Sequence, residues 1–511
     1  MHVDPLAPSD SGAPPDPAAG ALWGAMGRPA GPFDPWQSFN AACDVWSGGH
    51  ADAAGLARRA RWRLHDLLES ACAAPLHAER LRAAGGASIG DPGRSPSAAR
   101  RAAQLPLAAI EPIGRAATLA RFDEACTDRA VTLERVESFI ADPARIGEAF
   151  LGRYAVWTSS GTTGSPGIWL QDARALAVYD ALETLRFGGF DRPGRGAGWF
   201  EDWLRAPFGT AGRYAMVGAT GGHFAGVASV ERMRRLWPWA AASMHTVSIL
   251  QPLRTLCAEL DAIEPAVLAT YPTAAAVLAA ERRAGRLRLR PREIWLGGEQ
   301  LTDAVRREVT EAFGCRVRET YGASECLSIA WECEHGSLHV NTDWVVLEPV
   351  DRAMRPVPPG TASHSVLLTN LANRVQPVLR HDLGDSVTVD PAPCPCGCAM
   401  PSLRVEGRRD DVLVFEGRAG TVRLLPLALV TVMEDEAGTF DFQLVARDAS
   451  TLLLRLQPAA DGIARATCHE ALRRYLDSQG LVDVRVVDDP RPPMHEAVSG
   501  KLRRVASGPG R

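Results

Sequence analysis

The spacing of apolar positions changes along the chain. Residues 51–84 ("ADAAGLARRARWRLHDLLESACAAPLHAERLRAA") carry apolar side chains at helical intervals. From about Arg153 the pattern alternates. "RYAVWTSS" and "REIWLGGE" are short apolar runs ending in small polar residues, as strands do where they feed loops. "TDAVRREVTEAFG" reads as an amphipathic helix with a Thr cap and a Gly stop. This alternation predicts α/β layers. After "RVEGRRDDVLVF" the pattern restarts on a smaller scale. "DVLVFEG" reads as a strand and "LPLALVTVMEDEAG" as a helix. "FDFQLVAR" and "TLLLRLQP" form a strand pair, followed by a helix in "RATCHEALRRYLDSQG" and a strand in "VDVRVVDD". About 100 residues of this kind suffice for a small α+β domain. "GASIGDPGRSPSA" reads as a loop.

Composition narrows the class. The 511 residues exceed what one core holds, so two or more domains are expected. A net charge of −4 gives no reason to expect nucleic acid or an acidic membrane as partner. No apolar run reaches the ~18–20 residues of a membrane span. The start, "MHVDPLAPSDSGAPPDPAAG", lacks the basic and apolar regions of a signal peptide, and residues 1–35 are expected to be a disordered tail. A cytoplasmic protein is expected, with its eleven Cys as thiols or metal ligands in place of disulfides.

Two features suggest chemistry. "TSSGTTGSPG" (158–167) follows the strand "RYAVW" and combines hydroxyl residues, three Gly and one Pro. Successive backbone N–H groups and hydroxyls in such a loop can surround phosphate oxygens. It has no Lys, so it is not a Walker loop. The chain's single lysine, Lys501, lies in "SGKLRR" near the end. A lysine ammonium is a compact point charge on a flexible stem, which the planar Arg fork is not.

The loop resembles the phosphate-binding loop of the adenylate-forming enzymes, the acyl-CoA synthetase and ligase superfamily. Further motifs follow in the family's order: "ETYGASE" (319–325), "LRHDLGD" (379–385), "EGRRDD" (406–411) and "SGKLRR" (499–504). "WECEHGSLHVNTDWVVLEPVD" and "DPAPCPCGCAMP" resemble the phenylacetate–CoA ligase and coenzyme F390 synthetase branch. The resemblance implies an α/β fold with a large multi-subdomain N-terminal adenylate-forming domain (36–407) and a small mobile α+β C-terminal domain (408–511). It implies ATP, Mg²⁺ and CoA as reaction partners. An aromatic carboxylic acid would become acyl-AMP with release of pyrophosphate, and the acyl group would pass to CoA.

Residue by residue, the resemblance places the β- and γ-phosphates on Ser160, Gly161, Thr162, Thr163 and Gly164. The family often carries a Lys just after this loop, where this chain has Ser165, Pro166 and Gly167. Gly298 and Glu299 would line the adenine pocket with Gly322 and Ser324, and Tyr321 would stack on the base. Glu325 would hold Mg²⁺. Asp385 and Arg408 would hold the ribose, Asp410 would be the hinge, and Lys501 would reach the carboxylate and α-phosphate. His223, Phe224 and Tyr271 would form the acyl pocket. Cys333, His339, Cys394 and Cys396 suit a structural tetrahedral Zn²⁺, with His335 and Cys398 as alternative ligands. Transfer to an acyl carrier protein, or to an amine or hydroxyl, stays open beside CoA, as does a non-catalytic scaffold that kept the fold. A homodimer is left open, and the particular acid is not specified by these residues.

Overall fold

A computed structural model describes residues 33–86, 91–93, 95–159, 167–187, 213–237, 241–406, 413–418, 420–424, 426–439, 442–457, 462–494 and 504–507. The chain divides into two compact units. The first comprises residues 1–157, 169–209 and 321–406, and the second residues 158–168, 210–320 and 407–511.

The first unit begins with helices. Asp34 caps Pro35–Gly49 by accepting from the Trp36 and Gln37 backbone N–H groups. The sequence carries that start signal, an Asp directly before a Pro at the first helical position. The helical pattern of residues 51–84 is two helices, Ala53–Ala71 and Pro75–Gly85. The break falls where Pro75, lacking an N–H, can open a helix but not continue one. The leucines Leu64, Leu67, Leu68 and Leu81 pack with Leu107, Ile110, Leu371 and Leu379. Two sheets complete the unit. One pairs Val345–Val350 with Ser365–Asn370, then His381–Asp382, then Ile113–Gly114. The other is an antiparallel ribbon of Cys326–Glu332, Leu338–Val340, Ser402–Val405 and Val387–Val389.

An ionic clamp lies inside this unit. Asp343 is fully buried and accepts from both terminal nitrogens of Arg186 at 2.8 Å. Arg186 also donates to Asn341 Oδ1 at 2.8 Å and to the Val45 carbonyl at 3.3 Å. Arg63 lies 3.6 Å from Asp343 Oδ2, with its guanidinium over the Trp344 ring. Gly48 leaves room for the clamp, since a Cβ there would lie 2.5 Å from Asp343 Oδ2.

The second unit contains the expected alternation. Met244–Ser248, Arg213–Gly218, Pro265–Thr270, Glu293–Leu296 and Arg316–Ala323 pair in parallel in that order. Helices Ala225–Leu236, Leu253–Ile263, Pro272–Arg283 and Asp303–Phe313 separate them along the chain. The last helix ends as its sequence predicts. Thr302 Oγ1 accepts from the Val305 N–H at 3.3 Å, and Gly314 takes a left-handed φ of 62°.

The smaller C-terminal pattern also appears within this unit. Phe442–Asp448 and Thr451–Leu456 form the expected antiparallel pair. Arg485–Asp488 joins one side in parallel, and Val505–Ser507 joins the other. The helix Gly462–Ser478 contributes Cys468, Leu472 and Leu476 to the core. Among the described residues, no helix is long and apolar enough to cross a membrane.

Removing one partner from a buried pair leaves an uncompensated charge. Asp343→Ala, which strands Arg186 while Arg63 keeps Asp44, is expected to destabilise the protein by about 3–5 kcal/mol, read as a lower Tm. Burial pushes the Asp343 carboxyl up, but Arg186 and Arg63 outweigh it and hold it below its usual value. Its stabilisation is therefore complete above about pH 4, the unfolded carboxylate range, and is lost as the pH falls through the depressed folded value. The Tm difference between wild type and Asp343→Ala should shrink in acid; a constant difference from pH 7 to pH 3 contradicts this account.

Candidate active site and metal centre

In the first unit, residues 321–323, the last of the strand Arg316–Ala323, turn sharply into Cys326–Glu332. Gly322 permits that turn: a Cβ there would lie 1.9 Å from the Leu327 carbonyl oxygen. The turn buries Tyr321 and directs its hydroxyl to Asp385 Oδ2 at 3.1 Å. Burial, then the Asp385 carboxylate, push the Tyr321 hydroxyl well above its ordinary pKa, so it stays a protonated donor. Two residues expected at one nucleotide thus meet directly, though 64 positions separate them.

Glu325 is 1% exposed. Arg115 Nη2 donates to its Oε1 at 3.3 Å, and His381 Nε2 lies 3.6 Å from the same oxygen. Burial, then the Arg115 charge, push His381 down to about 3, so near neutral pH it faces the carboxylate as an uncharged ring. The Asn370 amide donates to the Glu325 carbonyl at 2.9 Å and to the Tyr179 hydroxyl at 2.7 Å. Gln171 donates to the Ser324 carbonyl at 3.2 Å. The backbone of the motif is therefore held from two sides. Arg380 supports the segment that carries His381 and Asp385. It adopts a left-handed φ of 45° while its guanidinium bonds Glu348 Oε2 at 3.0 Å and the carbonyls of Ala108 and Ile110 at 3.1 and 2.7 Å.

In the second unit the expected pocket residues follow the C-terminal ends of the parallel strands, where open α/β sheets bind ligands. His223 and Phe224 follow Arg213–Gly218, Tyr271 follows Pro265–Thr270, and Gly298 and Glu299 follow Glu293–Leu296. His223 is buried, and its carbonyl accepts from the Thr158 N–H at 2.8 Å. Gly298 has a φ of 78°, and a Cβ there would come within 3.0 Å of the Tyr271 ring. Glu299 accepts from both the N–H and the hydroxyl of Thr273 at 3.0 Å, at the start of Pro272–Arg283. Its carboxylate is thus occupied at a helix N-terminus, where the dipole favours a negative charge.

The loop residues Ser160, Gly161, Thr162, Thr163 and Gly164 lie outside the described residues, as do Arg408, Asp410 and Lys501. The strands flanking the loop, Ala155–Ser159 and Gly167–Gln171, pair into a two-stranded sheet. Ser159 Oγ accepts from the Gly167 N–H at 3.1 Å and closes its base.

The four expected metal ligands come together. One donor atom each from Cys333, His339, Cys394 and Cys396 lie within 4.8 Å of one another, without His335 or Cys398. The ribbon explains why. Leu338–Val340 pairs with both Cys326–Glu332 and Ser402–Val405, which brings the two Cys-bearing segments side by side. Cys333 and Cys394 sulfurs are 3.7 Å apart, too far for a disulfide. His339 Nδ1 is 2.8 Å from the Met400 carbonyl, which leaves Nε2 facing Cys396 Sγ at 3.2 Å. Such an outer bond fixes tautomer and orientation in metal-binding histidines. The backbone N–H groups of His335 and Cys398 point at Cys333 and Cys396 sulfurs, both at 3.4 Å. Burial raises the Cys394 thiol, but the Cys396 N–H and neighbouring side chains outweigh it and hold it below its ordinary value, while burial pushes the Cys396 thiol up. Three sulfurs and one imidazole at this spacing form a donor set that can hold a tetrahedral ion.

Arg115, His381, Asn370 and Tyr179 were not singled out from the sequence. His381 stands inside "LRHDLGD", a motif already recognised. Arg115 lies 210 positions from Glu325 with no local signal.

Similarity to known proteins agrees with this geometry. Over 165 residues the chain is 31% identical to a phenylacetate–coenzyme A ligase of Thermus thermophilus, covering 30% of this chain and 36% of that protein. Over 169 residues it is 23% identical to the protein CapK of Staphylococcus aureus, covering 32% and 35% respectively. The chain therefore matches about a third of the length of these curated relatives. No family model matches it. A solved 2-hydroxyisobutyryl-CoA ligase, in complex with 2-HIB-AMP and CoA, is similar across 88% of this chain and 89% of its own, with a TM-score of 0.53 and 22% identity. The fold is that of the acyl-CoA ligases. Within this CoA-ligase fold, the Tyr321–Asp385 contact joins two of the ordered motifs.

Tyr321→Phe tests that contact. It keeps the ring and deletes one hydrogen bond to a charged group, a loss of about 1.5–3 kcal/mol. A Tm equal to wild type at pH 7 argues against the contact in solution.

Proposed function

We propose that this protein activates a carboxylic acid with ATP and passes the acyl group to CoA. The observation that carries this reading is the fold likeness, over 88% of the chain, to a ligase solved with 2-HIB-AMP and CoA. The Tyr321–Asp385 contact and the turn that holds Glu325 support it locally. The acid's carboxylate oxygen attacks the α-phosphorus of ATP, and the bond to pyrophosphate breaks. Lys501 offsets the charge gathering at that phosphorus, while Ser160, Gly161, Thr162, Thr163 and Gly164 hold the β- and γ-phosphates. Asp385 accepts hydrogen bonds from the ribose hydroxyls, Arg408 supports the same sugar, and Tyr321 presents its ring to adenine. Gly298, Glu299, Gly322 and Ser324 shape the base pocket.

Glu325 is a buried carboxylate beside the motif turn, a hard oxygen donor of the kind Mg²⁺ takes together with nucleotide phosphates. When bound, Mg²⁺ neutralises phosphate charge. The thiol of CoA then attacks the acyl carbon, and AMP leaves. Residues 408–511 rotate about Asp410 between the two steps, bringing Lys501 in for the first and removing it for the second. We place the acid pocket at His223, Phe224 and Tyr271 and favour a flat aromatic acid. Gly221 of "GATGGH" faces open space, and Tyr271 supplies a partly buried ring beside Gly218 and Gly298. The protein would work in the cytoplasm. A carrier-protein thiol presents the same pantetheine group as CoA and is the second reading of the acceptor.

Cys333, His339, Cys394 and Cys396 would hold Zn²⁺ with all four positions filled by protein, a structural closure of the ribbon.

Pyrophosphate exchange tests the reaction across phenylacetate, benzoate, 2-aminobenzoate and 2-hydroxyisobutyrate. At least one aromatic acid should support exchange, and no exchange with any acid would favour a scaffold. Lys501→Ala should abolish exchange yet retain thioester formation from a supplied acyl-adenylate. For the metal, chelator-free protein should contain about one zinc per chain by elemental analysis; less than ~0.2 per chain rules the site out.

A further inference from the structure

Lys501 stands three residues before Arg504, where the described chain resumes. Arg504 is 2% exposed, an unusual place for a guanidinium. Its Nη1 pairs with Glu434, which is also buried. Glu434 lies in the helical turn Val432–Glu436, far along the sequence. The Arg504 guanidinium sits 5.2 Å from the centre of the buried Phe442 ring, within cation–π range. Its carbonyl accepts from the Leu444 N–H at 2.7 Å. Immediately after it, Val505–Ser507 joins the sheet in parallel with Leu444–Ala446, and Val505 is fully buried. Side chain and backbone of Arg504 are therefore both fastened.

We propose that the buried Glu434–Arg504 pair is a positioning device that anchors the segment carrying Lys501, so that its ammonium can be delivered to the α-phosphate. This rests on the reading of Lys501 above. The physical reason is reach. Three residues of fully extended chain span at most about 10 Å, so fixing Arg504 bounds where the Lys501 backbone can go. Without the pair, a three-residue strand at the edge of the sheet is expected to fray. The lysine would then search a larger volume, and the adenylation step would lose its pre-set geometry. The thioester step does not use Lys501 and should not depend on the anchor. That asymmetry separates positioning from general support of the fold.

Glu434→Gln removes the charge while keeping size and an acceptor oxygen. It should lower kcat for pyrophosphate exchange by about 100-fold, using whichever of phenylacetate, benzoate or 2-aminobenzoate supports exchange in the wild type. The KM for ATP should be unchanged, as should thioester formation from that acid's synthetic adenylate and CoA. Arg504→Lys keeps a cation opposite Glu434 and should retain an intermediate exchange rate. Amide hydrogen exchange over Val505–Ser507 reads the anchor without any substrate and should accelerate in Glu434→Gln. The proposal fails if amide exchange is unchanged, if adenylation is unchanged, or if both half-reactions fall in parallel. Lys501→Ala distinguishes the levels: full exchange in that variant overturns the role of the lysine itself, whereas its loss beside a normal Glu434→Gln overturns the anchor alone.

Discussion

The first unit depends on one buried ion pair. Arg186 and Asp343 meet in bidentate geometry with no access to solvent. Two charges at such depth are tolerable only if each remaining donor and acceptor is met. Asn341, the Val45 carbonyl and Arg63 supply further partners for the terminal nitrogens and the carboxylate. The pair thereby connects the first helix, the chain end of the Leu182–Phe187 turn and the residues just after His339. Asn341 also donates to the Ser328 carbonyl, so the same cluster holds the hairpin that carries Cys333 and His339. A single electrostatic commitment thus supports the ribbon that carries the Cys/His cluster.

The turn that carries Tyr321 and Glu325 is held by a different logic. Its side chains are few, and its backbone carbonyls are grasped by amides: Asn370 on Glu325 and Gln171 on Ser324. Glu325 itself faces one guanidinium and one uncharged imidazole. This leaves a carboxylate oriented before any cation or nucleotide arrives, which is what electrostatic preorganisation requires. In the second unit the peptide turns after three parallel strands supply His223, Tyr271 and Glu299, and the sheet's own geometry decides where they lie.

Local patterns were read well because they depend on near neighbours. The helix Asp303–Phe313, its Thr302 cap and its Gly314 stop needed no tertiary information. The same holds for the strand pair Phe442–Asp448 and Thr451–Leu456. The division of residues 51–84 into two helices turned on one proline, a local cue that apolar periodicity alone overlooks. Strands such as Val505–Ser507 and His381–Asp382 are too short to show a period, and they exist because a distant neighbour offers hydrogen bonds.

For the site, residue identity and order along the chain determined what chemistry was on offer. Three thiols with one imidazole, a tyrosine and two carboxylates in ordered motifs, and one lysine are facts of sequence. Tertiary structure decided which of these groups touch. It brought the donor atoms of Cys333, His339, Cys394 and Cys396 within 4.8 Å of one another, gave Asp385 to the Tyr321 hydroxyl, and brought Arg115 across 210 positions to Glu325. It also turned Glu299 toward Thr273. The reason is that contact energies act over a few ångströms, and chain folding brings together residues whose separation in sequence carries no information about their separation in space.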